Sequence, residues 1–342
     1  MKSNISESIQ EKIGRNLYLQ DNHPIKVVKD MIFEYFKKMG YDQFVEENPL
    51  VSTEENFDFL RIPKDHPGRR VTDTYYKDEN TVLRTHMTCA MQSCAPVSNK
   101  YVICGDVYRK DTVDATHFPV FHQIDGFSWV DGDPIEELKK LLGGLIEHLF
   151  PGKEYRFADD FFPFTEPSLE VEVNFNGYWL EILGGGAVHT EIMRNLGYEN
   201  RKAIAFGLGI ERLAMIIYNI KDIRLFWSKD ERFLSQFKEG EIKEFVPYSK
   251  YPEMKRDVSM WVPDEYHEHD FYDIVRNAGG DLVENVELFD VFENKKRETK
   301  NRSFAFHIVY RSNDRTLTEE EVNEIHSAIE SKAVEDLQVE IR

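Results

Sequence analysis

Residues 105–126 read GDVYRKDTVDATHFPVFHQIDG and lie between two short apolar runs, Tyr101–Cys104 (YVIC) and Phe127–Val130 (FSWV). β-type runs on either side of a polar stretch predict two antiparallel strands joined by a long loop. A loop of that length is uncommon in a compact domain unless it carries function. The chemistry sits at its two ends. Arg109 offers a planar fork of donors that matches a phosphate. Phe121 offers a flat face on which a purine can stack. Gln123 and Asp125 flank Ile124, so both point to one face of the returning strand, where they would hold an ammonium or an amide. The competing reading is a solvated hairpin with incidental charges.

A second stretch, Ala205–Arg212, reads AFGLGIER. Its spacing is G-x-G-x-x-R rather than G-x-G-x-x-G, and no βαβ partner with a ribose-binding acid follows, so a dinucleotide fold is disfavoured. We read a strand, a Gly-rich turn and a helix. Gly207 and Gly209 would let a nucleotide approach the backbone, and Arg212 would reach its phosphates or base. A tight helix–strand contact is the alternative.

Between and around these stretches the pattern is mixed α and β. Ile25, Val28, Met31, Ile32, Tyr35 and Phe36 recur at helical spacing after His23-Pro24, and Gly40 ends the run. Leu138, Leu141, Leu142, Leu145, Ile146 and Leu149 make an amphipathic helix over 134–150. Strands are predicted at 169–175 and 178–183, and a helix over 187–197. Residues 238–247, charged and carrying Gly240 and Pro247, read as a linker. Beyond it, β-α-β-β-α-β follows, which is the split βαβ order of a ferredoxin-like unit. The fold class is therefore α+β, with units at 1–237 and 248–342.

Composition narrows the function. The chain has 342 residues and a formal net charge of −19, which argues against broad electrostatic capture of nucleic acid. Any nucleic-acid partner must be met by local basic patches. Lys295, Lys296, Arg297, Lys300 and Arg302 form one such cluster; the blander reading is a solvated loop tip. No run reaches the roughly 18 apolar residues of a membrane span, so no membrane association is expected. The first residues have no apolar h-region, and Glu7 and Glu11 precede the first Arg, so no complete presequence is expected. Cys89, Cys94 and Cys104 have no zinc spacing and read as reduced, packed thiols.

The two chemical stretches resemble motifs 2 and 3 of class II aminoacyl-tRNA synthetases. The segments VYRKD, DATHFPVFHQIDG, FFPFTEPS, WLEILGGG, AFGLGIERLAM and DIRLF resemble the catalytic subunit of phenylalanine–tRNA ligases over about residues 10–237. The tail, YSKYPEMKRDVSMWVP, EHDFYDIVR and RTLTEEEV, resembles that family's ferredoxin-fold anticodon-binding domain. Both parts in one chain is the layout of the monomeric mitochondrial form. The resemblance implies a class II antiparallel sheet flanked by helices, and ATP-dependent attachment of phenylalanine to tRNA-Phe through a phenylalanyl-adenylate. ATP is then a substrate and Mg2+ the metal. A monomer in the mitochondrial matrix is implied; the missing presequence would equally suit a cytoplasmic enzyme.

Site residues follow from the same resemblance. Arg109 would bind the α-phosphate, with Asp111 beside it, and Phe121 and Arg212 would sandwich adenine. His117 would contact the phosphates or the activated carboxyl, with Thr116 and Phe118 next to it on the substrate side. Gln92, Gln123 and Asp125 would hold the amino acid's ammonium and carboxylate. Phe162 and Phe164 would meet its ring edge-on, Ala205 and Phe206 would line the end of the ring pocket, and Glu181 would lie in the substrate or nucleotide site. Glu166 is a possible magnesium ligand. Within Leu83–Gln92 (LRTHMTCAMQ) one residue is inserted relative to the family, which sets Cys89 where a serine is usual, and Asp125 replaces the usual glutamate. Two other functions fit parts of this pattern: a paralogue that passes an acyl-adenylate to a non-tRNA acceptor, and a non-catalytic RNA-binding relative.

Overall fold

The computed structural model describes residues 2–342 except 176, 239–241, 248–250, 295 and 298. After a short helix α1 (Glu7–Gln10), helix α2 (Pro24–Lys38) forms where the apolar stripe predicts it. Its cap is His23, whose ring nitrogen accepts from the Ile25 N–H at 3.2 Å, and proline supplies the first helical position. Strands β1 (Asp42–Val45), β2 (Leu50–Ser52) and β3 (Thr81–Leu83) follow, then α3 (Met91–Cys94). The segment that decides the fold is the pair β4 (Lys100–Tyr108) and β5 (Val120–Val130). Both strands run four to seven residues further into the polar stretch than their apolar ends suggest, so the true loop is 109–119.

Buried polar pairs explain that extension. Arg84 is fully buried, and its guanidinium meets the Asp106 carboxylate at 3.0 Å and the carbonyls of Glu46, Asn48 and Asp106 at 2.7–2.9 Å. The Tyr108 hydroxyl donates to the same carboxylate. On β5, His122 is buried against Glu211, Nδ1 to Oε1 2.5 Å. Buried charges survive only when paired in this way.

Helix α4 (Pro134–Leu149), strands β6 (Tyr155–Phe162), β7 (Thr165–Phe175) and β8 (Tyr178–Val188), helix α5 (Thr190–Asn195), strand β9 (Lys202–Gly209) and helix α6 (Ile210–Tyr218) complete the larger sheet and its cover. The strand order is β1-β4-β5-β9-β8-β7-β6, antiparallel except for β1 on β4. Gly207–Gly209 continue β9 as strand, not as the turn the glycines suggested, and α6 starts immediately after. One face of the sheet packs on α2, α4 and α6 through residues such as Ile32, Leu142, Ile124, Phe206 and Leu213. On the other face Val107, Phe127, Ala203 and Ala205 pack with Met87 and Ile192. This second face is only partly covered, and it carries the candidate site.

A short helix α7 (Glu231–Leu234) leads to the segment read as a linker. Its described part is anchored: Phe245 is buried against Phe233 and Phe237, and its N–H donates to the Tyr218 carbonyl at 2.7 Å. The C-terminal unit comprises β10 (Met254–Val262), α8 (Glu268–Gly279), β11 (Val283–Glu293), β12 (Arg302–Tyr310), α9 (Glu319–Leu337) and β13 (Glu340–Ile341). Its sheet order β11-β12-β10-β13 is the ferredoxin-like arrangement expected from the element order. It has its own core around Met260, Phe271, Phe306 and Ile329. Val113 from the 109–119 loop enters that core, and Arg276 holds the Asp111 carbonyl at 2.6 Å. The loop is thus clamped beneath the C-terminal unit.

Candidate active site

The partly covered face of β5 presents Phe121, Gln123 and Asp125, and the adjoining β9 presents Ala205, Gly207 and Gly209 in register beside them. Asp125 is almost fully buried. One carboxylate oxygen accepts the Thr88 hydroxyl at 2.6 Å, while Oδ1 is shielded from solvent with no hydrogen-bond partner. The Gln123 carbonyl oxygen is likewise buried and unpaired. Two orphaned acceptors over one floor call for a donor-rich cation. Burial pushes the Asp125 carboxyl up to about 7, against the stabilising hydrogen bond from Thr88, a contact from the Gln123 side chain and the Arg109 charge. Gly207 makes the space: a Cβ there would stand 2.8 Å from Asp125 Oδ1 and 2.9 Å from the Gln123 amide nitrogen.

Next to this pocket, the Arg109 Nε donates to the Thr85 carbonyl at 2.8 Å, and its guanidinium lies 5.2 Å from the centre of the Phe121 ring. Arg109 remains open to solvent, with the rest of its fork free for an anion. His86, beside it, has both ring nitrogens shielded and unpaired. Burial, with the Arg109 charge, holds this imidazole down at about 3, so it stays neutral. Across the sheet, exposed Arg212 donates to the Glu181 carbonyl at 2.8 Å and lies 3.8 Å from its carboxylate. Glu170 is held above the usual carboxylate range by burial and by the charges of Glu181, Asp160 and Glu172. A Cβ at Gly209 would meet nothing within 4 Å, so the backbone there is open to a ligand.

An aromatic wall closes the other side. The rings of Phe162 and Phe164 stack at 5.6 Å and 13°. Phe162 lies over Gly184, where a Cβ would come within 2.6 Å of its Cζ, and Phe164 packs in the same cluster as Ala205 and Phe121. An unpaired carboxylate, an apolar aromatic slot and a pair of arginines therefore share one surface.

That surface belongs to a known architecture. The model of the class II core domain (F) of tRNA synthetases matches residues 8–237, and the ferredoxin-fold anticodon-binding domain matches residues 249–342. The chain is 44% identical to the chloroplastic/mitochondrial phenylalanine–tRNA ligase of Arabidopsis thaliana, covering 99% of this chain and 83% of that one. It is 41% identical to the mitochondrial enzyme of Mus musculus, over 99% of this chain and 86% of that one. With the yeast Saccharomyces cerevisiae mitochondrial enzyme identity is 34%, over 99% and 92%. The chain belongs to the phenylalanine–tRNA ligase family.

Against the family pattern, several residues lie elsewhere than expected. Cys89 does not meet Asp125; its thiol donates to the His86 carbonyl at 3.2 Å, and Thr88 occupies the place beside the carboxylate. The 3-10 turn at Met87–Ala90 sets this phase. Phe206 points away from the slot, because alternate residues of β9 face opposite sides; its ring stacks on Phe36 in the core and fills the space above Gly126. Phe118 stacks on Trp227. Thr116 and His117 are tied to Asp114, the imidazole at 2.7 Å, and His117 lines a cleft with Arg224 of its own unit and Arg276 and Asp281 of the C-terminal unit. Asp111 caps the Thr112 N–H at 2.8 Å. Gln92 is exposed on α3. Glu166 is exposed, and its carboxylate rests 3.2 Å from His189.

Two contributors escaped sequence reading. His86 and Thr88 sit in LRTHMTCAMQ, and only their burial beside Arg109 and Asp125 marks them. In the basic loop, Lys295 lies outside the described residues. Arg297 is bound to Glu340 at 2.7 Å and lies over Trp261, and Arg302 donates to the Asp264 carbonyl at 2.8 Å. Lys296 is exposed.

Proposed function

We propose that the protein activates phenylalanine with ATP and transfers it to tRNA-Phe. The observation that carries this reading is the buried Asp125 with an unpaired oxygen, on the sheet face that also carries Phe121 beneath the Arg109 guanidinium and Ala205 in the cluster with Phe164. The substrate ammonium would sit on Asp125 and Gln123, and its ring would enter between Phe162, Phe164 and Ala205. The carboxylate would then lie beside Arg109, with neutral His86 able to donate to it. Adenine would stack on Phe121, with Arg212 on the far side.

In the first step a carboxylate oxygen of phenylalanine attacks the α-phosphorus of ATP. The α–β phosphoanhydride bond breaks, and pyrophosphate leaves with the electron pair. In the second, the 2′-hydroxyl of the terminal tRNA adenosine attacks the acyl carbon, and AMP leaves. Arg109 stabilises charge developing on the α-phosphate, and the buried pocket holds the nucleophile in line. Oxygen donors suit magnesium, and the mutual repulsion around Glu170 and Glu181 is of the kind a dication relieves. When bound there, Mg2+ would neutralise the polyphosphate; Glu166, on His189, is the less favoured ligand.

Residues 1–237 are then the catalytic domain, 238–247 the linker and 248–342 the anticodon-binding domain, acting in one chain as a monomer. Lys296 and Lys300 remain the candidates for phosphate contact in the basic loop, with Arg297 and Arg302 shaping it. The organellar names of the relatives favour the mitochondrial matrix over the cytoplasm. Phenylalanine-dependent ATP–pyrophosphate exchange tests the activation step. The reading expects exchange that requires phenylalanine and is lost in Asp125→Asn; exchange indifferent to Asp125 would reject it.

A further inference from the structure

Asp73, His267 and His269 each offer one ligand atom, and these atoms all lie within 4.8 Å of one another. None of the three belongs to the site described above. Asp73 lies 194 residues from His267, in the stretch before β3, whereas both histidines open α8 in the C-terminal unit. Two residues apart in a continuous helix, the rings would face away from each other. His267 is the N-cap, however, with φ −125° and ψ 134°, and this extended backbone folds its ring onto His269, centroids 4.8 Å apart.

The surrounding contacts favour a metal. His269 Nδ1 is the ring nitrogen that faces Asp73, and its competing contact with the Thr72 carbonyl is long, at 3.3 Å. The Thr72 hydroxyl donates to Asp73 Oδ2 at 2.5 Å, leaving Oδ1 turned toward His269 at 3.7 Å. The His267 Nδ1 accepts the His269 N–H at 3.3 Å, a weak cap that a stronger bond can replace. The nearby Lys110 ammonium is taken by Asp270 at 3.0 Å, so it does not compete for Asp73.

We infer that these three side chains form a divalent transition-metal site, of the zinc class, that staples the C-terminal unit to the larger one. Two imidazoles and a carboxylate are borderline-soft ligands that suit zinc, with water completing a tetrahedron. A tetrahedral ion with bonds of about 2.0–2.1 Å sets its ligands roughly 3.3 Å apart, so the side chains must close by up to about 1.5 Å. All three are partly exposed rather than locked in the core. The site is complete only when the two units are docked, as they are through Tyr75 on Asp273 and Arg276 on the Asp111 carbonyl.

The test is titration of the full chain with ZnCl2 by calorimetry, in excess Mg2+ to occupy oxygen-only sites. One tight site per chain is expected, weakened at least about tenfold in His269→Ala, His267→Ala and Asp73→Asn alike. Co2+ in place of zinc should give four-coordinate visible bands without a thiolate band, which separates this site from the three buried cysteines. Zinc should also raise the Tm of the parent chain and slow hydrogen exchange in both 70–76 and 268–276. Retained pyrophosphate exchange in each variant shows that it is folded. Binding unchanged in the histidine variants overturns the site. Binding lost there but unchanged in Asp73→Asn overturns the staple, because it leaves only a local histidine pair.

Discussion

Replacing Thr88 with valine removes one hydroxyl from a buried carboxylate and keeps the side chain's shape. The Thr88 hydroxyl donates to Asp125 at 2.6 Å and, of the hydrogen bonds to that carboxylate, does most to favour the ionised form. A hydrogen bond to a charged group is worth about 1.5–3 kcal/mol, and 1.36 kcal/mol corresponds to about one pKa unit. The carboxyl, at about 7 in the parent chain, should therefore titrate about one to two units higher in the variant. At neutral pH the ionised fraction would fall from about one half to between about one tenth and one hundredth. Because only the carboxylate can hold the substrate ammonium, kcat/KM for phenylalanine at pH 7 should fall about 5- to 50-fold. The KM for ATP should stay the same. Pyrophosphate exchange measured between pH 6 and 8.5 should show the loss shrinking as pH rises. A pH-independent loss, or no loss, would refute the claim that Asp125 is the ammonium site.

Three further outcomes follow from the same geometry. Asp125→Asn should abolish phenylalanine activation yet stabilise the free protein in alkali. The folded carboxyl titrates near 7 rather than 3.8, so the folded state binds the extra proton. Its stability therefore falls as pH rises through that window, by at most roughly 4 kcal/mol; the Tm difference between variant and parent, near zero at pH 4, should grow toward pH 8. Gly184→Val would drive a side chain into Phe162, since even a Cβ meets its Cζ at 2.6 Å, and should raise the KM for phenylalanine about 10- to 100-fold without moving that for ATP. Tyrosine should be activated too, because an apolar slot rejects an added hydroxyl by only about 10²-fold; no deacylation of Tyr-tRNA is expected, and its detection by thin-layer chromatography would contradict this.

The chain itself discloses much of this architecture, and the failures have physical causes. Helix α2, helix α4 and the ferredoxin-like order are plain in the periodicity, because their apolar faces are unbroken. The ends of β4 and β5 are not, because Asp106 and His122 point into the core. Their partners, Arg84 and Glu211, stand 22 and 89 residues away in sequence. A charge whose partner is distant looks like a loop residue. That Gln123 and Asp125 share a face was legible because strand alternation places them, whereas Arg109 and Phe121 stood out only as residue types at the ends of the loop. The same alternation, applied to β9, puts Ala205 and Phe206 on opposite faces, so Phe206 was misassigned by resemblance and could have been placed by period. Thr88 against Cys89 depends on the pitch of a 3-10 turn, which residue types do not encode. The docking of the 109–119 loop under the C-terminal unit has no signal in either segment alone.

Attachment of radiolabelled phenylalanine to a tRNA-Phe transcript tests the central claim most directly. The parent chain should form acid-precipitable Phe-tRNA in the presence of ATP and Mg2+, and Arg109→Ala, still folded by circular dichroism, should lose at least about 10²-fold of that rate. A folded parent chain that forms phenylalanyl-AMP but leaves tRNA-Phe uncharged would contradict the account, and would point instead to a different acceptor.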